Sequence, residues 1–117
     1  MANQISWIEL PSTDPAKTQK FYHDVFGWKI NEKRNDQYAE FYDTDRTGGG
    51  IYKVDKMPVQ GGIVPTIQVE SIADTIAKIG QLGGTPVSEK QQIPDGGHII
   101  HFDDPSGNKL GLYEPKK

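Results

Sequence analysis

The 117-residue sequence has no cysteine, no long hydrophobic run and no excess of basic residues. Without cysteine there can be no disulfide, no zinc–thiolate cluster and no thiol nucleophile. No apolar run approaches the roughly 18 residues that a membrane-spanning helix needs, and the start, MANQISW, lacks a signal-peptide core. The net charge of −3 argues against nucleic-acid binding. These absences predict a cytoplasmic protein with neither a membrane nor a nucleic-acid partner.

The first half of the chain predicts a strand, a helix and three further strands. The stretch QISWIEL alternates apolar and polar residues as a strand does. Asp14 is placed to cap a helix that begins at Pro15, and Gly27 is placed to end it. The runs WKINEKR, QYAEFYD and GIYKV then predict three strands.

The second half repeats this order. IVPTIQVE predicts a strand, and Ser71 caps a helix that turns Ile72, Ile76 and Ile79 inward. The runs TPVSEKQQI, HIIHFDD and KLGLYEP predict three more strands. Such an internal repeat governs the fold prediction. It predicts one domain over residues 1–117, with module one at about 1–57, a joint at about 55–62 and module two at about 62–117.

Two stretches carry a resemblance to a known family: WIELPSTDPAKTQKFYHDVFGW near the start and FDDPSGNKLGLYEP at the end. With the duplicated plan, they resemble the vicinal oxygen chelate superfamily of glyoxalase I, bleomycin-resistance proteins and extradiol dioxygenases. The resemblance implies an α+β fold in which two βαβββ modules form a cupped eight-stranded mixed sheet with helices outside. It also implies a homodimer, and a cup that holds a divalent metal and a substrate.

In that family the metal ligands come from the first and last strands of each module. The resemblance maps these positions to Trp7, Gly50, Thr66 and Gly111. A divalent metal needs several histidine, carboxylate or thiolate donors, and these four residues offer at most one hydroxyl. We therefore expect a member without the family's metal and predict no cofactor. His98 and His101 should not share a metal, because odd spacing on a strand turns them to opposite faces.

Strand alternation predicts which residues line the cup. Ile8 and Leu10 should face the helix, which turns their neighbours on the first strand into the cup. The predicted ligand-binding residues are Trp7, Glu9, Gly50, Tyr52, Thr66, Gln68, Gly111 and Tyr113. An aromatic wall with a few polar groups is typical of a small-molecule pocket, and the two glycines would leave room for a flat ligand or for Trp7. In the alternative interpretation these aromatic residues simply fill the cup as core.

Glu9 is the candidate catalytic residue. A carboxylate in a dry aromatic cavity would have its pKa raised toward neutrality, which suits a general base that removes a proton next to a carbonyl. The alternative is a structural hydrogen-bond acceptor. Tyr38, Glu40 and Tyr42 alternate with Ala39 and Phe41, and the pattern leaves open which set faces the cup.

Three functions remain open. The first is a metal-independent protein that binds a small molecule in the cup. The second is a lyase, isomerase or dioxygenase that uses Glu9 or a different metal site. The third is a non-catalytic dimeric interaction module. The cup-facing polar residues Glu9, Thr66 and Gln68 argue against the third, because a purely structural core would be apolar.

Overall fold

The computed structural model describes residues 7–43, 47–58 and 63–117, and for residues 32–34 only the backbone. The chain divides into two compact units, Met1–Pro58 and Val59–Lys117. Half of the predicted joint, residues 59–62, lies outside the described residues. Within the described part of the chain, no helix is long and apolar enough to cross a membrane.

The first unit has the predicted order of one strand, one helix and three strands. Its elements are β1 (Trp7–Ser12), α1 (Pro15–Phe26), β2 (Lys29–Asn35), β3 (Tyr38–Tyr42) and β4 (Gly48–Lys53). The sheet order is β1-β4-β3-β2. β1 pairs in parallel with β4, and the other neighbours are antiparallel. The first and last strands of the unit are therefore direct neighbours.

Both ends of α1 are where the sequence predicts them. The Asp14 side chain accepts a hydrogen bond from the Lys17 backbone N–H at 3.3 Å, and Pro15 stands in the first turn. Gly27 ends the helix at a φ of 72°, in the left-handed region that favours glycine.

The core of the first unit lies between α1 and one face of the sheet. Tyr22 of α1 is fully buried and stacks on Trp28 at 5.0 Å between ring centroids and on Phe41 at 6.2 Å. Leu10, Phe41 and Ile51 are buried on the same side of the sheet. Ile8 shares the parity of Leu10 but is 36% exposed, so only the second of the two residues predicted to face the helix is in the core.

The second unit repeats the topology with one difference. Its elements are β5 (Thr66–Gln68), α2 (Ile72–Gln81), β6 (Thr85–Pro86), β7 (Gln91–Gln92), β8 (His98–Asp103) and β9 (Lys109–Glu114). The order is β5-β9-β8-β6, and β7 also pairs with β8. The parallel pair β5–β9 corresponds to the pair β1–β4. The fold is thus α+β, with two mixed sheets of four and five strands and two helices among the described residues.

The predicted strand TPVSEKQQI is interrupted, which corrects the sequence prediction. It forms two short strands of two residues each, β6 and β7. Pro86 has no N–H to donate to the ladder. Between the two strands, the backbone N–H of His101 bonds to the side-chain oxygen of Ser88 at 2.9 Å instead of to a backbone carbonyl. The His101 carbonyl still accepts from the Val87 N–H at 3.0 Å, so the pairing becomes irregular at Ser88.

A side chain on the last strand of the second unit, β9, bonds to the first residue of the helix α2. Ser71 caps α2 as predicted, and Ile72 and Ile79 of the helix are buried, as are Ile100, Phe102 and Leu112 of the sheet. The Glu114 carboxylate on β9 accepts a hydrogen bond from the Ile72 backbone N–H at 2.7 Å. This bond lowers the pKa of Glu114 below its ordinary value, because it favours the charged carboxylate.

The Glu114 contact predicts a pH-dependent stability. A carboxyl with a lowered folded-state pKa contributes stability above its ordinary pKa and loses it as the pH falls through the folded value. We expect Glu114→Gln to lower the melting temperature at pH 7 by roughly 2–4 °C, because a charged acceptor at a helix start is replaced by a neutral one. The difference from wild type should be lost as the pH falls below about 4.5 and through the lowered pKa of Glu114. Thermal unfolding followed by circular dichroism measures both effects.

The matched control is Glu89→Gln, which removes an exposed carboxylate of the same unit. It should leave the melting curve nearly unchanged at each pH. If Glu114→Gln and Glu89→Gln show the same pH profile, the Glu114–Ile72 bond does not stabilise the fold.

Candidate functional site

The face of the first sheet that is turned away from α1 gathers aromatic rings and carboxylates. Strand pairing places Trp7 beside Gly48 and Glu9 beside Gly50, and these glycines pair in turn with Tyr42 and Glu40. Paired residues on neighbouring strands share a face. Ala39 and Phe41 are buried on the helix side, which turns Tyr38, Glu40 and Tyr42 to the other side. We call the set Trp7, Glu9, Tyr38, Glu40 and Tyr42 the polar–aromatic face.

Gly50 makes room for the ring of Tyr38. A Cβ atom at position 50 would overlap the hydroxyl end of that ring, including its Cε1 atom at 2.6 Å. A Cβ atom at Gly48 would overlap the backbone oxygen of Phe41 and would lie 2.8 Å from Cδ1 of the Tyr42 ring. The space above Gly50 is therefore filled by Tyr38, which corrects the expectation that it is left for a flat ligand or for Trp7.

The Tyr38 hydroxyl connects two residues of β1. It donates a hydrogen bond to Oε2 of Glu9 at 2.9 Å and accepts one from Nε1 of Trp7 at 3.3 Å. Tyr38 lies on β3, two strands from β1, so the ring crosses over Gly50 of β4 to make these bonds. A bulky residue at position 50 would block this route.

A second phenol–carboxylate pair extends the same array. The Tyr42 hydroxyl donates to Oε1 of Glu40 at 3.0 Å, and Nδ2 of Asn31 donates to the same oxygen at 3.0 Å. The rings of Trp7 and Tyr42 meet edge to face, with 6.0 Å between their centroids. The chain of contacts thus runs without a break from Glu9 through Tyr38, Trp7 and Tyr42 to Glu40.

Both phenols of the array stay protonated at neutral pH. Burial and the hydrogen bond to Glu9 raise the pKa of Tyr38 above its ordinary value of 10.0. The hydrogen bond to Glu40 raises the pKa of Tyr42 from the same value. A phenol whose proton is held by a carboxylate loses it less readily, because deprotonation would place two negative charges side by side. The array therefore offers acceptors and aromatic surface, rather than a reactive phenolate.

The polar–aromatic face is accessible in the chain. Trp7 is 39% exposed and Tyr52, on the same face of β4, is 36% exposed. Glu9 is exposed as well. The general-base prediction assumed a dry cavity around Glu9, and the described structure does not provide one. Glu9 accepts a hydrogen bond from the Tyr38 hydroxyl, and its role as a general base stays a prediction.

The predicted residues of the second unit also share one face of their sheet. Thr66 pairs with Gly111, and Gly111 pairs with His101. An added Cβ at Gly111 would lie 2.9 Å from Oγ1 of Thr66 and 3.4 Å from Cδ2 of His101. Gln68 lies beside Tyr113 in the next row. His101 thus faces the side of Thr66, and His98 faces the other side, as its odd spacing predicts.

The side chain of Tyr113 is hydrogen-bonded to a loop residue. Its hydroxyl donates to Oδ2 of Asp95 at 2.7 Å, which lowers the pKa of Asp95 and raises that of Tyr113. The row of Thr66, Gly111 and His101 contains no aromatic ring comparable to Tyr38 and no carboxylate. Among the residues described, the two predicted halves of the site therefore differ in chemistry.

The family's metal does not fit the residues at the mapped positions. Gly50 lacks a donor and lies beneath the ring of Tyr38. The Trp7 indole nitrogen can only donate a hydrogen bond, and it does so to Tyr38. Over the described ranges, no group of three or more histidine, aspartate or glutamate side chains is arranged to hold a metal ion. We derive no chemistry from a metal at these positions.

Substitution at Gly50 tests the array directly. We expect Gly50→Ala to lower the free energy of unfolding by about 1–3 kcal/mol, because the new methyl group must displace the Tyr38 ring. The same change should separate Trp7 from Tyr38 and alter the tryptophan emission spectrum. Chemical denaturation and fluorescence measure the two effects.

Gly80→Ala is the matched control, because no atom lies within 4 Å of a Cβ at that helical position. It should raise stability by roughly 0.5–1 kcal/mol through helix propensity. In the double variant Gly50→Ala Tyr38→Ala the losses in unfolding free energy of the two single variants should not add. Without the Tyr38 ring, the new methyl group at position 50 has nothing to displace. A Gly50→Ala protein as stable as wild type, with unchanged emission, would show that Tyr38 does not occupy this place.

Comparison with known proteins agrees with the observed fold. Residues 4–112 match the model of the Glyoxalase/Bleomycin resistance protein/Dioxygenase superfamily. A glyoxylase-like domain-containing protein of Didymella fabae is 33% identical over 107 residues, which cover 85% of this chain and 81% of that protein. A Mycobacterium bovis protein whose name includes glyoxylase is 24% identical over 96% of this chain, which spans only 46% of that relative's length.

A solved structure shows the same architecture. The crystal structure of a glyoxalase/bleomycin resistance protein/dioxygenase family enzyme from Burkholderia phytofirmans superposes with a TM-score of 0.81 at 14% identity. The superposition covers 96% of this chain and 98% of the other. At that identity the likeness concerns the fold alone. The family match over nearly the whole length shows that this chain belongs to the glyoxalase/bleomycin resistance protein/dioxygenase superfamily.

Proposed function

We propose that this protein binds a small molecule on its polar–aromatic face without the help of the family's divalent metal. The observation that carries the proposal is the unbroken array from Glu9 to Glu40, which combines exposed aromatic surface with fixed hydrogen-bond acceptors. Such a combination is typical of small-molecule sites, where apolar contacts supply affinity and a few polar groups set orientation.

The array is held in place before a ligand arrives. Tyr38 and Tyr42 are each fixed by a carboxylate, and glycines beneath the two rings let them lie close to the sheet. Side chains that are already ordered lose little conformational entropy on binding. This order favours a role in binding over a purely structural role in which these residues only cover the sheet.

Catalysis by Glu9 is the second candidate. One carboxylate oxygen of Glu9 accepts the Tyr38 hydrogen bond, and the described residues offer no partner to the other. That second oxygen is available to a substrate proton, as a lyase or isomerase of this superfamily would require. The binding proposal ranks higher because it needs only the contacts that are present.

The location and the assembly state of the protein are also part of the proposal. We place the binding protein in the cytoplasm as a homodimer, and sedimentation of the samples used below measures its assembly state. The mycobacterial relative is about twice as long as this chain, and nothing in its name assigns a ligand here.

Ligand binding is tested with a single-tryptophan protein. The chain has two tryptophans, and Trp28 is stacked in the core, so Trp28→Phe leaves Trp7 as the reporter. In a screen of aromatic metabolite-sized compounds we expect saturable quenching of Trp7 by at least one compound class. Glu9→Gln and Tyr38→Phe should each weaken a hit by about tenfold, because each removes one hydrogen bond to or within the site.

Glu89→Gln serves as the control for a lost charge elsewhere, and it should leave the affinity unchanged. Hits that bind equally well to the Glu9→Gln and Tyr38→Phe proteins would contradict the proposal. If Glu9→Gln keeps the affinity for a compound but loses its conversion, Glu9 is catalytic and the second candidate replaces the first.

Independence from metal has its own test. After incubation with excess zinc, nickel, manganese and iron(II) followed by desalting, we expect less than about 0.1 metal ion per chain, because Trp7, Gly50, Thr66 and Gly111 offer too few donors. Plasma mass spectrometry measures the content, and ligand affinity should be the same with and without a chelator. About one metal per chain, removed together with ligand binding by the chelator, would overturn this part of the proposal.

A further inference from the structure

The charge of the polar–aromatic face narrows the class of ligand, an inference that rests on the proposed function. Glu9 and Glu40 flank Gly50 on the two neighbouring strands. Because strands in a sheet lie roughly 4.8 Å apart, the two carboxylates start from backbone positions about 10 Å from each other. The rings of Trp7, Tyr38 and Tyr42 connect them.

Both carboxylates bond to neutral partners. Glu9 accepts from a phenol, and Glu40 accepts from a phenol and an amide. Where side chains are described, the recorded ion pair joins Lys20 and Asp24 on α1, away from this face. The negative charges of Glu9 and Glu40 are thus oriented by hydrogen bonds but not neutralised by a described cation.

The aromatic rings add to the attraction for positive charge. The faces of indole and phenol rings carry negative potential and attract cations within about 6 Å. Tyr38 and Tyr42 lie low over Gly50 and Gly48, so the surface that they form is shallow. The planes of Trp7 and Tyr42 stand at 67° to each other, so a flat ring system can stack on one of these rings while its edge meets the next.

A metal ion is a poor occupant of the same place. Hard cations take six or more oxygen ligands, and this face offers two carboxylates that are already partly engaged. No group of three potential ligands is found in the described chain. Among the side chains that the structure describes, Lys29 brings an opposing charge to this face; it pairs with Tyr42 from the outer strand β2 and is exposed.

We propose that the polar–aromatic face selects planar organic cations, whose ring system lies on Trp7, Tyr38 and Tyr42 and whose positive charge lies toward Glu9 and Glu40. Coulomb attraction to two oriented carboxylates and contact with electron-rich rings act in the same direction. The rings alone would bind neutral and charged compounds alike, and the carboxylates supply the selectivity.

Three probes of one shape and different charge test this proposal by isothermal titration calorimetry at pH 8 and low salt. They are 1-methylquinolinium, uncharged quinoline and quinoline-6-carboxylate. We expect the cation to bind at least about fivefold more tightly than quinoline, and the anion to bind most weakly. Raising the salt concentration should reduce the preference, because the carboxylates are solvent-accessible.

Variants assign the preference to named residues. Glu9→Gln and Glu40→Gln should each reduce the ratio of the cation's affinity to quinoline's to within about twofold, and circular dichroism of each variant reports whether the fold is intact. Lys29→Gln should strengthen cation binding by about twofold, because it removes the opposing charge. Glu89→Gln is the control and should change neither affinity.

Each outcome is decisive. The proposal is supported if the cation binds most tightly and the anion most weakly, and if this order of affinities is lost in both carboxylate variants. Equal binding of all three probes, or tighter binding of the anion, overturns the charge selectivity and leaves small-molecule binding intact. Failure of all three probes to bind overturns the selectivity and also counts against the proposed function.

Discussion

The seating of the Tyr38 ring on Gly50 is the contact on which the rest of the candidate site depends. A phenol on β3 reaches β1 only because the strand between them has no side chain at that point. From there one hydroxyl accepts from Trp7 and donates to Glu9. Without this crossing, Trp7 would lose the partner of its indole N–H, and Glu9 would be one more exposed carboxylate on a strand.

Much of this arrangement could be predicted from local patterns. Asp14, Pro15 and Gly27 bound the first helix because capping and backbone geometry are local properties. Strand parity placed Trp7, Glu9, Gly50 and Tyr52 on one face, since side chains alternate with a period of two. Internal similarity then predicted the same order of elements for both halves, and the pairing of β1 with β4 and of β5 with β9 follows it.

The rest depended on contacts between distant residues. Alternation shows that Tyr38, Glu40 and Tyr42 share a face but not which one, and only the packing of Phe41 against Tyr22 decides it. The buried pair Ala39 and Phe41 was the available signal, because small and aromatic apolar residues favour the helix side of a half-buried strand. The break between β6 and β7 is set by a bond from His101 to Ser88, which no periodicity indicates.

The two halves show that the neighbours of the glycine, rather than the glycine itself, set the chemistry of each sheet face. Gly50 and Gly111 occupy equivalent strands, and both pair in parallel with the first strand of their unit. Gly50 lies beneath a phenol and between two glutamates, whereas Gly111 lies between Thr66 and His101. A glycine at this strand position therefore has different consequences in the two units. In the first unit Gly50 lets the adjacent strand β3 lay the Tyr38 ring over it, next to the carboxylates of Glu9 and Glu40.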